Sequence, residues 1–316
     1  MTASDIAIIA GSASRLLTAT ICADLGVRPC ETTAKVFSEG NVYVSINENI
    51  RGRDACIIQS TTVPVNRNLM EMMFFIDAAR RASARSVTVV IPWFSYAKGD
   101  KRDNDERVSI RARVCADMLE TAGADRVLAV DLHAPQVQGF FRIPVDNLQA
   151  IGVLGEALRH QLDENSVIVA PDAGSAKRAR QFAERLRLPL AVADKRRRAH
   201  DENAEVLEIM GDVRGKTCLI IDDFTLSGKT LTSAADRLLE RGAKRALAAV
   251  THGIFNAESA AHIENSRIDE LYCTDTVEPN FRVRSTKIIH ISIAPLLAEA
   301  IRRIHTRESI RGLFEN

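Results

Sequence analysis

Residues Thr217-Cys-Leu-Ile-Ile-Asp-Asp-Phe-Thr-Leu-Ser-Gly-Lys-Thr-Leu231 decide how this chain is read. An apolar strand over 218–221 ends in two carboxylates, Asp222 and Asp223, and a small-residue turn then opens a helix. A turn rich in backbone N–H groups at a helix N-terminus binds phosphate, and adjacent carboxylates can hold a ribose diol or a metal ion beside it. The expected ligand is a sugar phosphate.

Gly228-Lys229-Thr230 also looks like the end of a nucleotide P-loop. That motif needs a glycine five residues before the Gly-Lys pair, and Asp223 stands there. The plainer alternative is an ordinary strand-to-helix turn with acidic caps. Against it stands the aspartate pair at a strand's carboxyl end, where open α/β sheets place their ligands.

Working outward, 316 residues at 46% hydrophobic are enough for one large or two average domains with real cores. With 42 basic and 41 acidic residues, the net charge of +1 provides no global field for nucleic acid or an anionic membrane, so phosphate recognition must be local. Cysteines 22, 30, 56, 115, 218 and 273 lie in apolar segments without Cys-x-x-Cys or zinc-ligand spacing, and read as reduced core residues of a cytoplasmic protein. No basic leader or bilayer-length apolar run is apparent.

Short apolar runs at 55–59, 87–91, 127–130, 167–170, 190–193, 218–221, 247–251 and 288–291 read as strands. Between them, 68–83, 109–122, 148–161, 173–186 and 227–241 show helical periodicity, which means parallel α/β. Residues 114–127 and 237–246 both read helix, Gly-Ala, basic residue, strand, which suggests two doubly wound domains, 1–146 and 147–316, joined near 144–148.

Three more segments carry polar residues where a strand should end. Val130-Asp-Leu-His-Ala134 delivers Asp131 and His133 at period two; a lone histidine is as readily structural as a ligand. Val169-Ala-Pro-Asp-Ala-Gly-Ser-Ala-Lys177 passes from strand through a turn into a helix, where amides can hold phosphate and Asp172 can reach Mg²⁺. Ala193-Asp-Lys-Arg-Arg-Arg-Ala-His-Asp-Glu202 reads first as a solvated loop, but a cationic loop closing over a polyphosphate has the same composition.

The chain resembles the ribose-phosphate pyrophosphokinase family along nearly its whole length. The matches include Ser45-Ile-Asn-Glu-Asn-Ile-Arg-Gly52, Asn68-Leu-Met-Glu71, Val130-Asp-Leu-His-Ala-x-Gln-x-Gln-Gly-Phe-Phe141, Pro144-Val-Asp-Asn147 and Asp194-Lys-Arg-Arg197. The resemblance implies two tandem type I phosphoribosyltransferase-like α/β domains, each a mainly parallel sheet flanked by helices, with the last helix and tail free to pack on the first. It implies an active site between the domains, completed by a neighbouring subunit of a dimer-based, hexameric homo-oligomer. The implied reaction moves the diphosphoryl group of Mg-ATP to ribose 5-phosphate. By position, His133 and Asp172 look like Mg²⁺-ATP ligands, with Ala173, Gly174 and Ser175 completing the diphosphate loop. Lys195 and Arg197 look like the catalytic cations. Asp222, Asp223, Ser227, Gly228, Lys229 and Thr230 would hold ribose 5-phosphate, and Phe37, Glu39, Asn41, Lys98 and Asp100 the nucleotide. Arg51, Ser83, Arg107, Ser309 and Arg311 resemble a regulatory phosphate and ADP site.

The chain departs from the family pattern at several of these places. Lys98-Gly99-Asp100 stands where Arg-Gln-Asp is usual, so a planar bidentate fork is missing. In the sugar-phosphate loop Leu226 replaces a carboxylate and Lys229 adds a cation; the Asp172 turn carries Ser175 for a glycine. Two alternatives stay open: a catalytically weak or silent subunit of a synthetase complex, and a phosphoribosyltransferase sharing the acidic-pair loop.

Overall fold

Parallel strands buried on both faces need nearly continuous apolar runs, and Ile6-Ala-Ile-Ile9 and Val87-Thr-Val-Val-Ile91 are of that kind. The structure, a computed structural model, describes residues 5–102, 107–197, 205–280 and 283–314. It divides into two compact units, one of residues 1–149, 276–278 and 292–316, the other of 150–275 and 279–291.

In the first unit the chain order is β1 (Ile6–Ala10), α1 (Arg15–Leu25), β2 (Thr32–Val36), β3 (Val42–Ile46), β4 (Asp54–Ile58), α2 (Val65–Arg81), β5 (Ser86–Ile91), α3 (Arg111–Ala122), β6 (Arg126–Val130) and β7 (Val145–Leu148). Its five-stranded sheet runs β1-β4-β5-β6-β7, all parallel, and β2 and β3 form a separate antiparallel hairpin. Residues 145–148, expected as the joint between domains, form the edge strand β7 instead. They pair with β6 from Val127↔Val145 to Val130↔Leu148. Helix α2 presents Leu69, Met72, Phe75, Ile76 and Ala79 to the core at spacings of three and four.

The second unit contains α4 (Ile151–Leu158), β8 (Ser166–Ala170), α5 (Ala176–Leu186), β9 (Leu190–Arg197), β10 (Glu205–Met210), β11 (Thr217–Thr225), α6 (Lys229–Glu240), β12 (Arg245–Gly253), α7 (Ala257–Glu264), β13 (Glu270–Thr274) and β14 (Ile288–Ile291). Its seven strands run β10-β9-β8-β11-β12-β13-β14, parallel except for the β10–β9 edge. Helix α8 (Ala294–Thr306) returns to the first unit and packs on α1. There His305 Nδ1 lies 2.7 Å from Asp54 Oδ2, and Arg85 grips the same carboxylate.

The likeness between halves is physical. Helices α3 and α6 each end in a glycine at positive φ, Gly123 at 111° and Gly242 at 90°. In each case the following alanine N–H turns back to a leucine carbonyl: Ala124 to Leu119 at 3.1 Å, Ala243 to Leu238 at 3.0 Å. All six cysteines are free and buried, and no described helix is long and apolar enough to cross a membrane.

Candidate active site

The acidic pair sits where β11 leaves the sheet. Ile220 and Ile221 are fully buried, Asp222 is half-buried, and Asp223 is buried at 6% exposure. The Asp223 N–H donates to Asp222 Oδ1 at 2.9 Å, and Arg178 Nη2 approaches Asp223 Oδ2 at 3.8 Å. Burial, reinforced by the neighbouring charges of Asp223 and Asp172, pushes the Asp222 carboxyl up to about 8. Like charges gathered in a low-dielectric site favour a bound cation or a bound diol.

The following turn exposes its polar atoms. Leu226, Ser227, Lys229 and Thr230 are exposed, while Gly228 is buried at φ 76° and caps α6. Its N–H donates to Thr225 Oγ1 at 3.1 Å, which holds the turn open-ended toward solvent. Leu226 places an apolar side chain, 49% exposed, at the loop where a carboxylate was expected.

A second turn in the same unit links β8 to α5. Asp172 Oδ1 accepts from the Ser175 N–H at 2.8 Å and from Ser175 Oγ at 2.7 Å, while Ala173 and Gly174 stay exposed. The Ser175 hydroxyl thus locks the loop by gripping the carboxylate. Helix α5 begins one residue later than this serine and carries Arg178 back to Asp223. Sequence reasoning missed Arg178, because Lys177, Arg180 and Arg185 surround it and charge alone does not choose among them.

Lys195 and Arg197 were expected in a loop. Their backbone belongs to β9, paired antiparallel to β10 through Lys195↔Leu207 and Arg197↔Glu205. The unbroken charged run Asp194–Arg197 hid a strand that lies between β8 and the edge strand β10. Their side chains, and residues 198–202 of the same segment, lie outside the described residues.

In the first unit His133 is exposed just beyond β6, on an irregular turn that starts with Asp131 at φ 40°, so Asp131 and His133 are not strand neighbours as expected. The next segment, a 3-10 turn over Pro135–Phe140, brings Gln136 to Asp100 by a side-chain hydrogen bond. Lys98 sits with its Nζ 5.5 Å from the centroid of buried Trp93. Phe37 lies at the tip of the β2–β3 hairpin, 47% exposed, edge-on to Tyr43 at 6.0 Å. It is therefore no core aromatic. Beside it Asn41 Nδ2 donates to Glu39 Oε1 at 3.1 Å.

Of the regulatory candidates, Arg51 and Ser83 are brought to adjoining segments by Gly52 N–H donating to the Ser83 carbonyl at 2.9 Å. Ser309 accepts at its carbonyl from Arg303 and at its hydroxyl from the Arg311 N–H. Arg107 is exposed.

Among the described residues no three His, Cys, Asp or Glu side chains form a ready metal cage. Mg²⁺ keeps several waters and takes one or two carboxylates plus substrate phosphates. Crowding among Asp172, Asp222 and Asp223 fits that mode of binding.

Two mainly parallel sheets, each with turns opening helices at strand ends, define an α/β protein with type I phosphoribosyltransferase-like domains. Residues 6–123 match the N-terminal domain of ribose phosphate pyrophosphokinase, and 200–315 match the phosphoribosyl synthetase-associated domain. Curated ribose-phosphate pyrophosphokinases from Vibrio parahaemolyticus and Chromobacterium violaceum are 45% and 46% identical over 312 and 308 residues, 98% and 97% of this chain and 99% and 94% of theirs. The crystal structure of phosphoribosylpyrophosphate synthetase from Mycobacterium smegmatis superposes with a TM-score of 0.90 at 37% identity, covering 96% of this chain and 99% of that one. The chain belongs to the ribose-phosphate pyrophosphokinase family.

Proposed function

We propose that the protein transfers the β,γ-diphosphoryl group of Mg-ATP to the anomeric hydroxyl of ribose 5-phosphate, yielding phosphoribosyl pyrophosphate and AMP. The observation that carries this reading is the β11–α6 turn, where half-buried Asp222 and buried Asp223 meet an exposed, amide-rich helix start. Family membership supports it over the full length of the chain.

Each group has work suited to its chemistry. Amides of the 227–230 turn take the 5-phosphate, with Lys229 as an added cation, and Asp222 and Asp223 orient the ribose hydroxyls. Arg178 offsets part of the negative charge gathered beside Asp223. The 1-hydroxyl attacks the β-phosphorus, the bond to the α-phosphate oxygen breaks, AMP departs with that oxygen, and the hydroxyl proton is released. Such a transfer needs positioning and charge neutralisation more than a covalent nucleophile. Lys195 and Arg197 supply positive charge to the transferring group. His133 and Asp172 are the proposed Mg²⁺ ligands, and the ion would neutralise phosphate charge. Phe37, Glu39, Asn41, Lys98 and Asp100 recognise the nucleotide. A homo-oligomeric state, regulation through Arg51, Ser83, Arg107, Ser309 and Arg311, and a cytoplasmic location belong to the same proposal.

The test is AMP release by purified protein given Mg-ATP and ribose 5-phosphate. Stoichiometric AMP and diphosphorylated sugar are expected. Absence of AMP across phosphate concentrations would overturn the reading in favour of a silent subunit; turnover only with a base and the activated sugar would overturn it in favour of a phosphoribosyltransferase.

A further inference from the structure

Residue 99 is buried and held in place at both ends. The Gly99 N–H donates to the Tyr96 carbonyl at 2.9 Å, and its own carbonyl accepts from the Ala112 N–H, in the first turn of α3, at 3.1 Å. A Cβ placed on Gly99 would lie 2.5 Å from Arg111 Nε, 2.9 Å from Arg111 Cβ and 3.2 Å from Arg111 Cζ. The Arg111 side chain therefore runs through the volume that a side chain at 99 would fill. The absence of a side chain at 99 and the course of Arg111 are one structural fact.

Arg111 is exposed, opens α3, and pairs with no described carboxylate. A cation at the positive end of a helix is placed against the helix dipole, so its position is not explained by helix stability. Its neighbours on this segment are Lys98, drawn toward the Trp93 ring, and Asp100, tied to Gln136 three residues after His133. Two cations thus come to one segment. Lysine offers a point charge, whereas the guanidinium is a planar fork that can grip a phosphate through two parallel hydrogen bonds.

We infer that Arg111 is a phosphate-contacting, affinity-determining residue for the donor nucleotide, admitted to the site by Gly99 and acting beside Lys98. The inference rests on Mg-ATP being the donor. The chain then regains from α3 the fork that Lys98 cannot supply, and reaches the nucleotide from a different element.

Trp93 is the chain's one tryptophan and lies beside Lys98, so its fluorescence gives a direct Mg-ATP titration alongside steady-state AMP assays. For R111A we expect the Kd and KM for Mg-ATP to rise about tenfold, the scale of one charge-assisted hydrogen bond, with kcat and the KM for ribose 5-phosphate within about twofold. R111K should recover part of the loss. G99Q should weaken Mg-ATP as R111A does, because the glutamine displaces Arg111, and G99Q/R111A should be little worse than either single variant. Additive losses, or an R111A protein whose Mg-ATP Kd and KM stay within twofold of wild type, would overturn the inference. Wild-type protein that binds Mg-ATP but releases no AMP would overturn the proposed reaction, while the Trp93 titration would still decide the role of Arg111.

Discussion

Gly228 is the position at which the sugar-phosphate turn is most tightly constrained. It holds φ 76° and ψ −11°, and a Cβ there would come 2.9 Å from Ile263 Cγ1 and 3.2 Å from its Cδ1. Ile263 is a fully buried, branched core residue, so it cannot swing aside as a surface side chain would. For Gly228→Ala, a left-handed backbone costs about 1 kcal/mol and the forced contact about 1–3 kcal/mol more, giving roughly 2–4 kcal/mol. Part of that strain should be relieved by moving the turn, which would break the Gly228 N–H bond to Thr225 and re-aim the amides at 227–230. Gly174 in the Asp172 loop is the matched control: it is exposed, has no positive φ, and an added Cβ would meet only Asp172 Oδ1 at 3.3 Å. Thermal melts should show a loss of several degrees for Gly228→Ala and about a degree for Gly174→Ala. The KM for ribose 5-phosphate should rise at least tenfold in the first variant alone. If Gly228→Ala melted with wild type and kept its KM, the claim that this turn holds the sugar phosphate through a fixed backbone would be wrong.

Lys195→Ala should lower kcat by about a hundredfold or more while changing Mg-ATP affinity only a few-fold, since its charge acts on the transition state; equal losses in single-turnover and binding assays would count against that role. Burial and the Asp223 and Asp172 charges raise Asp222 to about 8, so the folded protein binds this proton more tightly than the unfolded chain. Metal-free protein should therefore lose stability as pH rises from about 4 to about 8, and Asp222→Asn should flatten that slope and melt higher at pH 8 while binding ribose 5-phosphate more weakly. Parallel melting curves for the two proteins would refute the linkage. Burial alone would raise the Asp54 carboxyl, but hydrogen bonds from Arg85, Ser86 and His305 prevail and bring it down to about 2. Its contribution is present above about pH 4 and lost as pH falls through 2; Asp54→Asn should remove about 1–2 kcal/mol at neutral pH in urea titrations, and the difference should vanish near pH 2.

Sequence was most informative where burial dictates letters. The β5 run Val87–Ile91 and the β11 run before Asp222 cannot be anything but interior strands, and the Gly123-Ala124 and Gly242-Ala243 stops repeat because the same helix ending is built twice. It was less informative where pairing supplies what side chains do not. No residue of the β2 and β3 strands is buried, β7 has only four residues, and β9 continues into Lys195 and Arg197 because β10 pairs with it. The roles of Arg178 and Arg111 were hidden for another reason. Both depend on which neighbour a long side chain reaches, Asp223 in one case and the empty volume at Gly99 in the other, and no linear spacing encodes that.

The two units also explain why one strand-to-helix turn is read as a ligand site and its counterpart is not. After β1, the turn Gly11-Ser-Ala-Ser14 opens α1 much as the 227–230 turn opens α6. In the first case the amides are already taken: Ser12 N–H donates to Glu71 Oε1 at 2.6 Å, Ala13 N–H to Gln59 Oε1 at 2.9 Å, and Leu17 N–H to Glu278 Oε1 at 3.0 Å. Glu71 and Gln59 are themselves buried, and a Cβ at Gly11 would run into the Gln59 side chain. A carboxylate from within the chain thus occupies the place where an anion would bind, and the helix start is satisfied without solvent. After β11 the order is reversed. The carboxylates lie on the strand side of the turn, Asp222 is raised by its neighbours, and Ser227, Lys229 and Thr230 face outward. A turn whose donors go to acceptors fixed on distant segments of the fold has none left for a ligand. In the β11–α6 turn the Gly228 N–H goes to Thr225 Oγ1 and the Lys229 N–H to Ser227 Oγ, hydroxyls of the turn itself, while Ser227, Lys229 and Thr230 stay exposed beside carboxylates whose charge Arg178 offsets only in part, the combination that a phosphorylated sugar arriving with a divalent cation would stabilise.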